Sequence, residues 1–174
     1  TSGLYVVPVR VGERESRFLL DCGAPTAVSP QLRSALGLST RSRTRAVDAR
    51  GTETVVDVVR LPRTTVGGVQ FADISAVVVD LERVPELRCL GVEGLLGANL
   101  MRQAAWRFDF GHGRIRFASD LDTLGFPAGA PSARFITLDS GSPLLRPVPD
   151  GRPVDDTVLD TGANVGPVAP ARSL

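Results

Sequence analysis

The sequence predicts an all-β protein: one closed, barrel-like lobe with one or two short helices, plus the start of a second lobe. Three observations predict it. Short β-branched and aromatic runs are separated by glycine-marked turns along most of the chain. Helix start and stop signals are confined to short stretches. From about residue 134 the opening pattern of the chain begins again. The domains that follow are a lobe over 1–118, a linker over 119–133 rich in Asp, Gly, Pro and Ala, and an incomplete second copy over 134–174.

Residues 4–11 are β-branched and strand-like, with a turn at Gly12-Glu13, and Arg17 to Leu20 forms a second short strand. Ser29 followed by Pro30 is a helix start, residues 31–36 are helical in pattern, and Gly37 suits the C-terminal cap. Between 44 and 81 the chain reads as strands and turns. A polar turn lies at Asp48-Ala49-Arg50-Gly51, a hairpin at Gly67-Gly68, and a strong strand runs from Ile74 to Leu81. Trp106, Phe108 and Phe110 alternate with Arg107 and Asp109, and Ile115 and Phe117 resume the pattern after Gly111-His112-Gly113. That is a hairpin with one buried face, so its aromatic rings belong to a core. Cys89, just before a Leu-Leu-Gly run, reads as buried.

The repeat is densest around an aspartate. Phe18-Leu19-Leu20-Asp21-Cys22-Gly23-Ala24 matches Thr157-Val158-Leu159-Asp160-Thr161-Gly162-Ala163, 139 residues later. Upstream, Pro8 falls on Pro147, Val9 on Val148 and Gly12 on Gly151 without a gap. Two copies of one Asp-bearing loop predict two carboxylates facing each other across a pseudo-two-fold axis.

Composition removes several alternatives. The 174 residues carry a net charge of +1, which gives no electrostatic reason for a nucleic-acid or anionic-membrane partner. All 20 basic residues are arginine, which we read as coding bias. No stretch approaches the roughly 20 apolar residues of a membrane span. Two cysteines are too few for a disulfide framework, and one histidine is too few for a multi-His metal site or relay. No cofactor or metal is expected. The chain starts at Thr1, so a removed export signal, with a periplasmic or extracellular location in a bacterium, stands beside a cytoplasmic one.

A further segment, Gly94-Leu95-Leu96-Gly97-Ala98-Asn99-Leu100-Met101, begins 73 residues after Asp21. Together with the Asp-Cys-Gly-Ala and Asp-Thr-Gly-Ala loops, it resembles the retropepsin-like aspartic peptidases. There an Asp-Thr/Ser-Gly-Ala loop is followed, most of a lobe later, by a Leu-Leu-Gly-x-Asn-Leu-Met-type segment packed beneath it. The resemblance implies an acid-protease lobe and an endopeptidase acting on a peptide or protein substrate. Asp21 and Asp160 would be catalytic, with Cys22, Gly23, Ala24, Thr161, Gly162 and Ala163 supporting the loops. It also implies a flap, placed by position at Asp48, Ala49, Arg50 and Gly51.

Water-mediated hydrolysis needs a base for the water and an acid for the carbonyl oxygen. Two neighbouring carboxylates sharing one proton supply both. Gly23 and Gly162 fit where two loops approach closely. The resemblance implies a Thr beside each Asp that bonds to the opposite loop. Cys22 departs from it, and a thiol, a weak donor, predicts a looser interlock on that side or a redox-sensitive site. Ala24 and Ala163 replace hydroxyl residues that would lower a carboxylate pKa, which predicts a weakly acidic to neutral optimum. Arg41, Arg43 and Arg45 read as a solvated strand edge beside the flap, and His112 as an exposed hairpin tip.

The second copy has 14 residues after Asp160, whereas the first runs 96 from Asp21 to Phe117. Three arrangements are compatible with that. The chain is part of a two-lobed peptidase with Asp21 and Asp160 as the pair; or two copies form a homodimer with Asp21 from each; or the lobe is catalytically inactive and binds extended peptides by strand addition.

Overall fold

The computed structural model describes residues 4–47, 51–145 and 156–163. The chain begins with β1 (Val6–Val11) and β2 (Arg14–Asp21), an antiparallel hairpin joined at Gly12. The second strand extends well before Arg17, because Arg14 to Ser16 continue the pairing with β1. Then come β3 (Ala27–Val28) and α1 (Pro30–Ala35). The Ser29 Oγ accepts from the Leu32 N–H at 3.0 Å, and Pro30 occupies the first turn. The helix ends at Leu36, with Gly37 beyond it in the left-handed region.

Next are β4 (Thr40–Val47), β5 (Glu53–Arg60), β6 (Thr64–Val66), β7 (Val69–Phe71) and β8 (Ser75–Val78). The strand expected over Ile74–Leu81 is therefore shorter: Ile74 is buried ahead of it, and Leu81 opens a 3-10 turn. α2 (Pro85–Leu90), β9 (Gly94–Gly97), α3 (Ala98–Met101), β10 (Ala105–Asp109) and β11 (Arg114–Ala118) complete the lobe. Among the described residues three short α-helices thus stand where one or two were expected. Cys89, expected to be buried, is exposed: it lies on α2, a helix with no buried residue.

Nine strands form one curled sheet in the order β4-β5-β8-β3-β9-β2-β1-β6-β7, a half-barrel. Its key feature is β9, which pairs parallel with β2 and antiparallel with β3. Because β9 sits between two strands that follow each other in sequence, the loop joining them must arch over its end. That loop carries Asp21. Gly97 lies directly beneath, and a Cβ there would run into the Pro25 and Thr26 backbone and stand 2.5 Å from the Ala24 carbonyl oxygen. Gly94 is needed for a similar reason, since the Phe18 ring covers it.

Val9, Phe18, Leu20, Val28, Leu96 and Leu100 form the centre of the core, each at most 1% exposed. The β10–β11 hairpin closes one side of it. Trp106 stacks on Phe117 at 4.5 Å and on Phe108 at 6.5 Å, while the Trp106 indole N–H donates to the Met101 carbonyl at 2.7 Å. Phe110 is different: at 66% exposed it lies against Tyr5 at the edge. The segment over 119–133 holds a 3-10 turn at Leu121–Leu124, with Leu124 buried and its carbonyl accepting from Arg107 at 2.9 Å.

Among the described residues after 133, β12 (Phe135–Thr137), β13 (Pro143–Leu145) and β14 (Thr157–Val158) form a separate three-stranded sheet. β12 lies upstream of anything the repeat matches. The ungapped upstream match is not reproduced in the pairing. Val6 pairs with Leu19 in the first copy, but Leu145 pairs with Thr157 in the second, one residue off the repeat. Strand side chains alternate between faces, so this slip exchanges which of them face inward upstream of the loop. Pro147, Val148 and Gly151 lie outside the described residues.

Gly97→Ala is expected to destabilise the fold by about 3 kcal/mol, since rigid backbone rather than a movable side chain blocks the new methyl. Gly37→Ala should cost only about 1 kcal/mol, because space around it is open and only the positive φ is strained. Urea unfolding of both variants checks this; equal losses would contradict the placement of Gly97.

Candidate active site

Asp21 ends β2, where it pairs with Gly97, so the sheet itself fixes its position. The loop after it turns at once: the Gly23 N–H donates to Asp21 Oδ1 at 3.0 Å. The second motif repeats this bond, with the Gly162 N–H donating to Asp160 Oδ1 at 2.7 Å. Two motifs of the same local chemistry therefore fold into the same local shape.

Within one chain, the two loops meet head to head. A Cβ on Gly23 would overlap the Asp160 carboxyl group, 2.7 and 2.8 Å from its oxygens. A Cβ on Gly162 would stand 2.5 Å from Asp21 Cγ. Each carboxyl group thus occupies the space that the opposite glycine leaves free, a reciprocal fit that no other residue permits.

An interlock holds the loops in this position. Thr161 Oγ1 accepts from the Cys22 N–H at 3.1 Å and donates to the Leu20 carbonyl at 3.1 Å. On the other side the Cys22 thiol donates to the Leu159 carbonyl, also at 3.1 Å. The cysteine fills the partner role with a weaker donor. Burial raises the Cys22 thiol pKa, and hydrogen bonding from Thr161 only partly opposes it. The thiol therefore stays protonated, which keeps it both a donor and a slow nucleophile toward oxidants.

The Leu95-Leu96-Gly97-Ala98-Asn99 segment braces the first loop from below. The Ala98 N–H donates to the Ala24 carbonyl at 2.8 Å, the Gly97 N–H to Thr26 Oγ1 at 3.1 Å, and the Thr26 N–H to Asn99 Oδ1 at 2.8 Å. The Asn99 amide also donates to the Ser75 carbonyl at 2.8 Å. Thr26, fully buried, was not singled out from sequence. Its one signal was a lone hydroxyl in the apolar run from Pro25 to Val28.

Burial raises the Asp21 carboxyl from 3.8 to about 7, and the charge of Asp160 and a hydrogen bond to it add to the effect. The backbone N–H groups of Gly23 and Ala24 pull the other way.

A groove of about 870 Å³ is lined by Ala24 and Pro25 of the loop that follows Asp21 in the chain. Its lining is largely aliphatic and includes Val77, Val79, Leu81 and Leu95 together with Val55 of the β4–β5 hairpin. Of the flap residues named from sequence, Gly51 is described, with φ +82, and Asp48, Ala49 and Arg50 lie outside the described residues. The base of that hairpin is tied to α1 through Asp57. It accepts from Thr40 at 3.0 Å, Arg43 at 3.0 Å and Arg33 at 2.8 Å, and these bonds hold its carboxyl below the usual range. Arg43 therefore borders the groove as half of an ion pair, and Arg45 reaches Glu53 at 4.0 Å. His112 lies far along the chain at the exposed hairpin tip, held by Asp109 at 2.9 Å. Ala163 closes the second motif half-buried. No cluster of three or more metal-ligating side chains occurs among the described residues.

Comparison with known proteins bears on this geometry. The profile of a family described as "Aspartyl protease" matches residues 7–100, more than half of the chain. Solved structures similar to it include a retropepsin-like aspartic protease from Rickettsia conorii, at 18% identity and a TM-score of 0.45, covering 61% of this chain and 76% of that one. Another is the retroviral protease-like domain of Ddi1 from Leishmania major, at 12% identity and a TM-score of 0.43, covering 66% and 87%. The search of curated proteins gives no match. The matched segment holds the Asp21 loop, the β4–β5 hairpin and the Leu-Leu-Gly strand that braces the loop, and the chain belongs to the aspartyl protease family.

Proposed function

We propose that this chain is an endopeptidase that hydrolyses peptide bonds with a water held between Asp21 and Asp160. One observation carries the reading: each carboxyl group sits in the space opposite the other loop's glycine, within a single chain. A water bridging the two carboxyl groups meets a proton donor and a proton acceptor at once. Asp21, deeper in the lobe, keeps its proton to about pH 7 and donates to the scissile carbonyl oxygen. Asp160 takes the proton of the attacking water. Microscopic reversal of these roles lets the tetrahedral intermediate collapse and the amine leave, with neither metal nor covalent intermediate.

The aliphatic groove beside Ala24 supports an extended peptide with a bulky apolar side chain next to the scissile bond. Among the described lining residues the charged ones are paired, Arg43 with Asp57 and Arg83 with Asp80, which favours an uncharged side chain in the groove. The exposed Val47 and Val55 on the two arms of the hairpin extend the apolar surface toward the substrate.

Asp21→Asn and Asp160→Asn should each lower cleavage of an unfolded protein substrate by at least about 10²-fold. Cleavage unchanged in Asp160→Asn would support a pair formed by Asp21 of two copies. Retained peptide binding without cleavage by the native chain would support a catalytically inactive module.

The pH dependence follows from the raised carboxyl. Between pH 4 and 7 the folded state holds a proton on Asp21 that the unfolded chain has released. Folding is therefore favoured at low pH, and this contribution is lost as pH rises toward about 7. The native chain should lose ~2 kcal/mol relative to Asp21→Asn over that window, less than the full shift implies because the pair is partly open to water. Thermal unfolding of both proteins from pH 4 to 8 checks the sign; parallel curves would contradict it. Cleavage should fall as pH rises through the same value.

A further inference from the structure

The turn between β12 and β13 makes a contact that the motifs do not account for. Ser142 is 1% exposed, one of few buried polar residues, and its Oγ donates to the Gly23 carbonyl at 2.9 Å. Ser140 Oγ donates to Ser142 Oγ at 2.9 Å, so the two hydroxyls form a short relay ending on the first catalytic loop. The turn is closed by the Gly141 N–H on the Leu138 carbonyl at 2.8 Å and the Leu138 N–H on the Ser142 carbonyl at 3.0 Å. Gly141, with φ +91, lies against α3, where a Cβ would stand 3.4 Å from Ala98 Cβ and 3.5 Å from the Asn99 N–H nitrogen. The turn is therefore wedged between the loop and the segment that braces it.

This contact has a mechanical consequence. β13 leads from Ser142 and pairs with β14, and β14 leads through Leu159 into Asp160. The Leu159 N–H bonds back to the Pro143 carbonyl at 2.9 Å, next to Ser142. A path of bonds thus runs from the Gly23 carbonyl through Ser142, Pro143 and Leu159 to Asp160. The first lobe anchors Asp21 by strand pairing with β9, but Leu159, equivalent to the buried Leu20, is 50% exposed and lies at a sheet edge. Asp160 depends on contacts of another kind for its position.

We propose that Ser142 is a positioning residue that seats the Asp160 loop against the Asp21 loop by fixing the turn ahead of β13 to the Gly23 carbonyl. The proposal rests on the endopeptidase reading for its catalytic consequence, though not for its structural one. Removing one buried hydrogen bond at this point leaves the Gly23 carbonyl without its partner and lets the second loop drift, and small drift in a reacting pair is costly.

The test uses Ser142→Ala in the full 174-residue chain, with Ser140→Ala as a milder variant at an exposed position. Two readouts are taken together. Amide exchange by NMR should show the Cys22 N–H, which bonds to Thr161, exchanging about tenfold faster in Ser142→Ala, with the Leu96 N–H in the core unchanged. Peptide cleavage should lose about tenfold in kcat with KM within about twofold, and Ser140→Ala should move both in the same direction by less. Unchanged Cys22 exchange, or equal acceleration at Leu96, would overturn the proposal. If the native chain cleaves no peptide, the endopeptidase reading fails, and the exchange comparison still decides the role of Ser142.

Discussion

The structure depends on one constraint: two Asp-x-Gly loops must come close enough for each carboxyl group to use the room its opposite glycine leaves. Everything near the pair serves that approach. Gly23 and Gly162 make space for it. Cys22 and Thr161 reach across it. Gly97 lets the first loop settle onto the end of β9, and Thr26 and Asn99 satisfy the backbone groups exposed by the arch. In the proposed reaction the close approach also serves the chemistry, because burial and the neighbouring Asp160 charge favour the protonated form of Asp21, and a retained proton is what an acid–base pair requires.

The two halves of the site reach the same geometry by unequal means. Asp21 is fixed by a parallel strand on one side, an antiparallel strand on the other, and an apolar core below. Asp160 stands at the end of a three-stranded sheet whose last strand is an edge among the described residues, and whose exposed apolar side chains include Phe135, Ile136 and Leu159. Interlock bonds and the Ser142 contact take the place of a core. The interlock itself is uneven: Thr161 supplies a full hydroxyl, Cys22 a weak thiol donor. Its raised pKa keeps that thiol a proton donor, so the substitution preserves the sense of the bond and lowers its strength.

Much of this could be read in the residues. The two aspartate loops stood out because the same side chains recur in the same order, and the glycines beside them have a steric reason that sequence alone supplies. Hairpins at Gly12 and Gly67-Gly68, the Ser29 cap and the aromatic face of the β10–β11 hairpin follow from local chemistry and periodicity, and they are found where local signals put them. What could not be read was non-local. Nothing in residues 94–97 says that this strand inserts between two strands far upstream, so Thr26 and Asn99 could not be assigned their roles. Cys89 was misjudged because cysteines are usually buried, whereas its short helix packs Leu87 and Leu90 against the smaller core cluster and leaves Cys89 exposed. The one-residue slip between Leu145 and Thr157 escaped because identical residues in a repeat do not fix the pairing register. Ser142 lies in a Ser-Gly-Ser turn that resembles any surface turn until the Gly23 carbonyl is seen above it.

The central claim is that Asp21 and Asp160 of one chain share a proton. Carbon-13 titration of the Asp21 carboxyl in the native chain and in Asp160→Asn, at a concentration where scattering shows single copies, tests it most directly. The account predicts that Asp21 titrates near pH 7 in the native chain and distinctly lower once Asp160 has lost its charge. The same titration in both proteins would show that the two carboxyl groups do not meet within the chain, and would contradict the account.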